Sequence, residues 1–347
     1  MGTGSSSAMQ TCDGVTEGAK HAAYAQEAER IARSMLTSGE SSKQPIKLTK
    51  LAPADPDYYI PSPHCFKEIV PPPACKGFQR YKHTPAYSGK GKILITCTSS
   101  YNLPLQDGVS FYTGNHTTEL LVPMIAFADA GFGFVVATID GNPVRVEEWT
   151  FPLAGEYEEE IRAIYQANRQ LFDAPRKTSE VDIEADNIIA IFGPGGHGAM
   201  SQAHKDPALG SLLRKAHERE LPTIMLCHGT HILAAAALGG EFPYKGYKCL
   251  CFFDAMDEPV LQQLGYPPAK MTLLPQKSLI ELGMAVLNTK GDEAWDDVCV
   301  DRELITGTSQ QSAQKLGEQA VKTLMEKHAP GSVRGDLPLE KHGQGRA

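Results

Sequence analysis

Cys227 and His228 stand side by side in the segment PTIMLCHG, residues 222–229, where an apolar run stops and a helical pattern, THILAAAAL, takes over. A thiol at such a turn leaves the sheet edge and faces a helix N-terminus, whose partial positive charge favours thiolate. His228 is a base within reach of it, and Gly229 relieves a turn too tight for a side chain. The pattern predicts a nucleophilic cysteine. Taken alone, the pair reads more readily as an inert buried cysteine beside a surface histidine.

A second segment, NIIAIFGPGGHG at 187–198, reads as an apolar strand entering a glycine-rich turn. The backbone N–H groups of Gly195 and Gly196, with that of His228, are candidate donors to a developing oxyanion beside Cys227. Gly193, Gly195 and Gly198 also satisfy G-x-G-x-x-G. That dinucleotide fingerprint belongs in the first strand–helix turn of a fold, and here several such units precede it. No bound cofactor is expected. Glu119 is the third chemical residue. Asn115 is the expected N-cap of its helix, and Pro123 cannot donate to the Glu119 carbonyl, which predicts an irregular turn there. A carboxyl beside the thiol can tune it or relay a proton; in the absence of the thiol it is a solvated first-turn glutamate.

The elements that must position these groups alternate. Strands are expected at 92–98, 132–140, 187–192, 223–227, 247–253 and near 303–306, and helices at 116–130, 156–172, 199–219, 230–237 and 310–326. Alternation of this kind predicts an α/β fold, a doubly wound and mostly parallel sheet of flavodoxin-like form, with the site at the strand C-termini. Residues 1–48 read as a polar extension, 49–328 as the α/β domain with lid segments near 52–87 and 142–182, and 329–347 as a disordered tail.

Together the segments KILITCTS, FYTGNHTTELLVPM, AGFGFVVATIDG, IFGPGGHGAM, IMLCHG, FFDAMDEP and DRELITGTS make the chain resemble the ThiJ/PfpI superfamily, in its long HchA-type branch. The resemblance covers roughly residues 55–328 and implies a glutathione-independent glyoxalase, a protein or nucleotide deglycase, or a holdase chaperone. It implies Cys227 as nucleophile, a glutamate at Glu119 beside it, and Asp257 as the acid orienting His228, with Asp254 as a rival three residues earlier. It also implies a homodimer. Bacterial members carry a metal site of two histidines and a glutamate. The matching positions here are Ala128, Gly133 and Asn168, so no metal is expected. Thr230 and Gln310 stand where relatives commonly have proline, which leaves the pocket edge, and hence substrate preference, open.

Composition narrows the rest. The chain of 347 residues carries a net charge of −8, which argues against a nucleic-acid surface. Its eight cysteines lack C-x-x-C spacing, and Cys249 and Cys251 share one face of an apolar run, as core residues do. No secretory pattern is legible, so reduced thiols in the cytoplasm are the expectation. The opening MGTGSS fits the N-myristoylation pattern at Gly2, with Cys12 as a second acylation site; this makes weak membrane association the alternative. Met225 stands where class I glutamine amidotransferases need glycine, and no later His-x-Glu follows, so that class is disfavoured. Nothing specifies a peptide groove. A low-pKa thiol beside a carboxyl is also compatible with redox sensing.

Overall fold

Seven short segments, most of them apolar, hydrogen-bond edge to edge, and their alternation decides which side chain goes to which face. The computed structural model describes residues 49–50, 58–61, 78–80, 83–152, 157–260, 266–290 and 294–328. The expected extension over 1–48 with Gly2 and Cys12, much of the 52–87 segment, and the tail at 329–347 lie outside the described residues.

In chain order the main elements are β1 (Lys92–Thr96), α1 (Thr117–Asp129), β2 (Gly133–Thr138), α2 (Glu158–Ala167), β3 (Arg176–Lys177), β4 (Ile188–Gly193), α3 (Pro207–Glu218), β5 (Thr223–Leu226), α4 (Pro275–Glu281), β6 (Val298–Asp301), β7 (Leu304–Gly307) and α5 (Ala313–His328). The sheet order is β6-β7-β5-β4-β1-β2-β3. Every neighbouring pair is parallel except β6 with β7. This is the α/β architecture expected. Period-two alternation sends Ile93, Ile95, Phe192, Ile224 and Leu226 to the face covered by α1 and α5, and Leu94, Ile191 and Met225 to the face covered by α3. A smaller sheet of Thr49–Lys50, Tyr58–Ile60, Ser110–Tyr112 and Asn102–Pro104 lies outside this order.

Four expected elements differ, and that over 156–172 is two helices, Glu158–Ala167 and Arg169–Asp173. Residues 247–253 do not form a central strand; only Lys248–Cys249 pairs, in parallel with Ala285–Val286. The next backbone donors are taken by side chains instead: Leu250 N–H by Thr306 Oγ1 at 2.9 Å and Cys251 N–H by Asn288 Oδ1 at 3.4 Å. Cys249 and Cys251 are fully buried, as core residues. The expected helix over 199–219 is divided into 3₁₀ turns and α3, because Pro207 disfavours helix at Asp206 and starts a new one. Asp206 caps that start by accepting from Ala208 N–H at 3.0 Å. The helix after Cys227 is a 3₁₀ helix over Cys227–Ala237.

Candidate active site

β5 ends at Leu226, and Cys227 turns the chain at φ 59°. A non-glycine residue in that left-handed region costs about 1–2 kcal/mol, which the packing around the turn must offset. Gly229 permits the turn: a Cβ there would lie 2.4 Å from the Gly193 carbonyl oxygen and 2.6 Å from that of Pro194. The thiol is therefore presented at the C-terminal edge of the sheet and 97% shielded from solvent.

Glu119 sits in the first turn of α1, also buried. The N-cap is His116, not Asn115 as the sequence suggested, and no side chain of its own caps the helix. The Thr117 N–H instead donates to Thr150 Oγ1 at 2.9 Å. Asn115 is buried and used elsewhere, accepting from Thr98 N–H at 3.3 Å and donating to the Arg145 carbonyl at 2.6 Å. α1 runs continuously through Pro123, so the missing donor to the Glu119 carbonyl does not end the helix. A Cβ on Gly195 would lie 2.0 Å from Glu119 Oε2 and 2.8 Å from Cys227 Cβ, so glycine here lets backbone, carboxyl and thiol converge.

The electrostatics of this convergence correct one expectation. Burial first, then the Glu119 carboxyl, push the Cys227 thiol well up; the His228 N–H, pulling it down, does not prevail. The resting group is a thiol, not the thiolate anticipated from a helix N-terminus. Burial likewise pushes Glu119 well above the carboxylate range, against the pull of the Cys227 thiol and the Gly196 and Gly195 amides. Those donors lean on the carboxyl, yet none reaches hydrogen-bonding geometry on Oε2, which is buried without a partner. So the Gly195 and Gly196 amides, read from the sequence as oxyanion donors, face the carboxyl, while the His228 amide faces the sulfur.

His228 places Nδ1 3.4 Å from Cys227 Sγ and Nε2 2.8 Å from Asp257 Oδ2. Asp257 is fully buried in a π-helical turn, Met256–Val260. Burial pushes its carboxyl up, but the His228 and His197 rings outweigh that and hold it well below the usual range. Asp254, the rival for that role, instead caps α4: its oxygens accept from the Gln276 and Lys277 N–H groups, each at 2.8 Å.

Two residues went unseen in the sequence. His197, within GPGGHG, places Nε2 3.1 Å from Asp257 Oδ1, so one carboxylate serves two imidazoles. Glu147, fully buried, accepts from Thr113 Oγ1 at 2.6 Å, Tyr266 OH at 3.1 Å and the His197 N–H at 3.3 Å. The glycines around His197 marked its turn; nothing marked Glu147 among the acids of VEEW. His197, His228 and Asp257 bring three ligand atoms within 4.8 Å of one another, a set that could hold a metal ion, although each imidazole Nε2 already engages the carboxylate. The metal positions of the bacterial relatives do not fit one: Ala128 and Gly133 offer no ligand atom, and the Asn168 amide donates to the Ile164 carbonyl at 2.9 Å.

With this geometry in view, the chain was compared with known proteins. The model of the DJ-1/PfpI family matches residues 109–248. Protein/nucleic acid deglycase HchA of Pseudomonas aeruginosa is 34% identical over 283 residues, spanning 80% of this chain and 94% of that protein. The protein of the same name in Escherichia coli O157:H7 is 31% identical over 279 residues, spanning 80% and 95%. Among solved structures, glyoxalase III from Candida albicans superposes with a TM-score of 0.54 at 22% identity, covering 67% of this chain and 97% of that one. The last is a likeness of fold.

Proposed function

The chain belongs to the DJ-1/PfpI family, in the branch of the HchA proteins, and from that premise we propose that it converts methylglyoxal and similar α-oxoaldehydes to 2-hydroxy acids without glutathione. The observation that carries the reading is a shielded thiol beside a buried carboxyl and an imidazole whose far nitrogen is fixed by a buried aspartate. That is the equipment for adding sulfur to an aldehyde and then moving one carbon-bound proton.

The steps balance with these residues alone. The Cys227 sulfur adds to C1 as its proton passes to His228 Nδ1, and Glu119 gives its proton to the aldehyde oxygen. The Glu119 carboxylate then takes the C1 proton while His228 protonates the C2 oxygen, giving an enediol. Glu119 returns its proton to C2 and His228 removes the C1 hydroxyl proton, which leaves a 2-hydroxyacyl thioester. Water, deprotonated by Glu119, attacks that thioester; the departing sulfur takes its proton from His228. Asp257 stabilises each imidazolium, and the His228 amide, which faces the sulfur, supplies a donor for the oxyanions. Burial of the thiol suits a substrate of a few heavy atoms.

A second reading, removal of aldehyde adducts from proteins or nucleotides, is favoured by the name that the HchA relatives carry. Lactate release from a glycated peptide, measured with free aldehyde continuously scavenged, separates the two. Direct deglycation survives the scavenger; glyoxalase action does not. The resemblance implies a homodimer, and light scattering at micromolar concentration tests it. A holdase role would persist in Cys227→Ala when suppression of client aggregation is measured. A redox-sensing role would show as oxidation of Cys227 ahead of the other thiols under mild peroxide.

A further inference from the structure

α1 opens on a capping residue that does no capping. His116 is its N-cap, yet the ring makes no hydrogen bond to the helix, and the His116 N–H donates to the Gly195 carbonyl at 3.0 Å. Glu119 stands third in the helix, where a capping box would turn its side chain back to that same N–H. The side chains of these two positions are neighbours at a helix start. Here each keeps a buried polar atom with no hydrogen-bond partner among the described residues, His116 Nδ1 and Glu119 Oε2. Both border the thiol. A Cβ on Gly195 would fall 2.0 Å from Glu119 Oε2 and 2.8 Å from Cys227 Cβ, and one on Gly196 would fall 2.3 Å from the His116 backbone nitrogen. Burial first, then the nearby His197 and His228 rings, push the His116 value down to about 3, so its ring has one nitrogen that donates and one that accepts. Buried polar atoms are rarely left unpaired, and two of them beside one thiol point to a ligand that pairs with both.

We propose that His116 is a specificity-determining residue that donates its Nδ1 hydrogen to the 2-oxo oxygen of the substrate while Glu119 meets the aldehyde oxygen. An α-oxoaldehyde carries its two oxygens on adjacent carbons, and these two side chains, three residues apart on one helix face, offer one partner to each. With sulfur bonded to C1, a donor on the C2 oxygen draws electron density away from C1. That makes the C1 hydrogen more acidic, in the step for which Glu119 is the base. An aldehyde lacking the 2-oxo group leaves Nδ1 unpaired and is disfavoured for that reason. The backbone that presents His116 is held on both sides: its carbonyl accepts from the Leu120 N–H at 3.0 Å, and the Thr117 N–H donates to Thr150 Oγ1 at 2.9 Å.

This inference rests on the proposed function, and its test reads occupancy of the thiol rather than turnover. An aldehyde bound at Cys227 slows alkylation of that thiol by iodoacetamide, as mass spectrometry of its peptide records. Methylglyoxal is compared with propanal, a chain of the same length without the 2-oxo group, each in amounts far above what turnover removes. In His116→Leu the methylglyoxal concentration for half protection should rise about tenfold, the worth of one hydrogen bond to a ligand, while that of propanal stays within about threefold. His116→Asn, whose amide can place an N–H near the Nδ1 position, should keep both aldehydes within about threefold of wild type. An unchanged methylglyoxal value in a natively melting His116→Leu protein overturns the proposal. So does an equal loss for the two aldehydes, or a His116→Asn protein as impaired as His116→Leu. Should the leucine variant fail to fold, nitrogen NMR of the wild type decides: hydrogen on His116 Nδ1 supports the proposal, and hydrogen on Nε2 alone overturns it. No protection of the wild type by either aldehyde would overturn the proposed function itself, and this inference with it.

Discussion

Cys227 meets two opposed demands: shielding that keeps bulk water from the proposed enediol, and proton acceptors near enough to release its thiol. Removing the sulfur nucleophile in Cys227→Ser should cost at least about a thousandfold in lactate formation, on the order seen when a nucleophile is deleted; retention of a tenth of wild-type activity would end the covalent account. Glu119→Gln tests the second demand. It preserves size but cannot take the C1 proton, so turnover should fall roughly 10²–10⁴-fold. If Glu119 is a proton shuttle rather than a tuner of the thiol, the alkylation rate of this variant should stay within about tenfold of wild type. Parallel loss of alkylation would instead make Glu119 a tuner of the thiol. Chelation tests the metal question: exhaustive treatment should leave turnover unchanged, because no step above needs an ion.

At the scale of elements, the site depends on three turns that converge: the end of β4 with its glycines, the end of β5, and the π-helical turn that carries Asp257. Gly195→Ala should abolish turnover, since the added methyl would fall 2.0 Å from Glu119 Oε2; wild-type kcat in that variant would show the turn to be free to move. The two aspartates should separate cleanly. Asp254→Ala loses the α4 cap and about 1 kcal/mol of stability with activity kept, whereas Asp257→Ala loses activity. The sequence made much of this legible. CHG and GPGGHG are local patterns whose backbone demands are written in glycines, and the strands of the main sheet at β1, β2, β4 and β5 are continuous apolar runs. What it hid is non-local. Glu147 reaches the site from the 142–182 stretch, and Asp257 takes a second imidazole, through contacts no spacing rule encodes. The supposed strand at 247–253 failed for the same reason, because Thr306 and Asn288 satisfy its backbone from distant segments.

At the scale of the whole molecule, burying so many histidines sets how the fold responds to acid. His231 is fully buried beneath the sheet edge with Nε2 2.9 Å from Ser278 Oγ, and burial, then His204 and His228, push its value down to about 3. A base depressed below 6.5 leaves the folded chain unprotonated where the unfolded chain binds a proton, so the stability it confers is lost as pH falls from 6.5 toward 3. At pH 5 that loss is about 2 kcal/mol from His231 alone. Denaturant titrations at pH 7 and pH 5 should show His231→Gln losing less stability than wild type between the two; an equal loss would place the acid sensitivity elsewhere. The central claim concerns what this shielded assembly does to a small aldehyde. Its most direct measurement is lactate formed from methylglyoxal by the purified wild type, with no thiol or metal added, beside the Cys227→Ser protein. The account predicts stoichiometric conversion by the first and none above the uncatalysed rate by the second. Equal conversion by both, or none by the wild type, would contradict it.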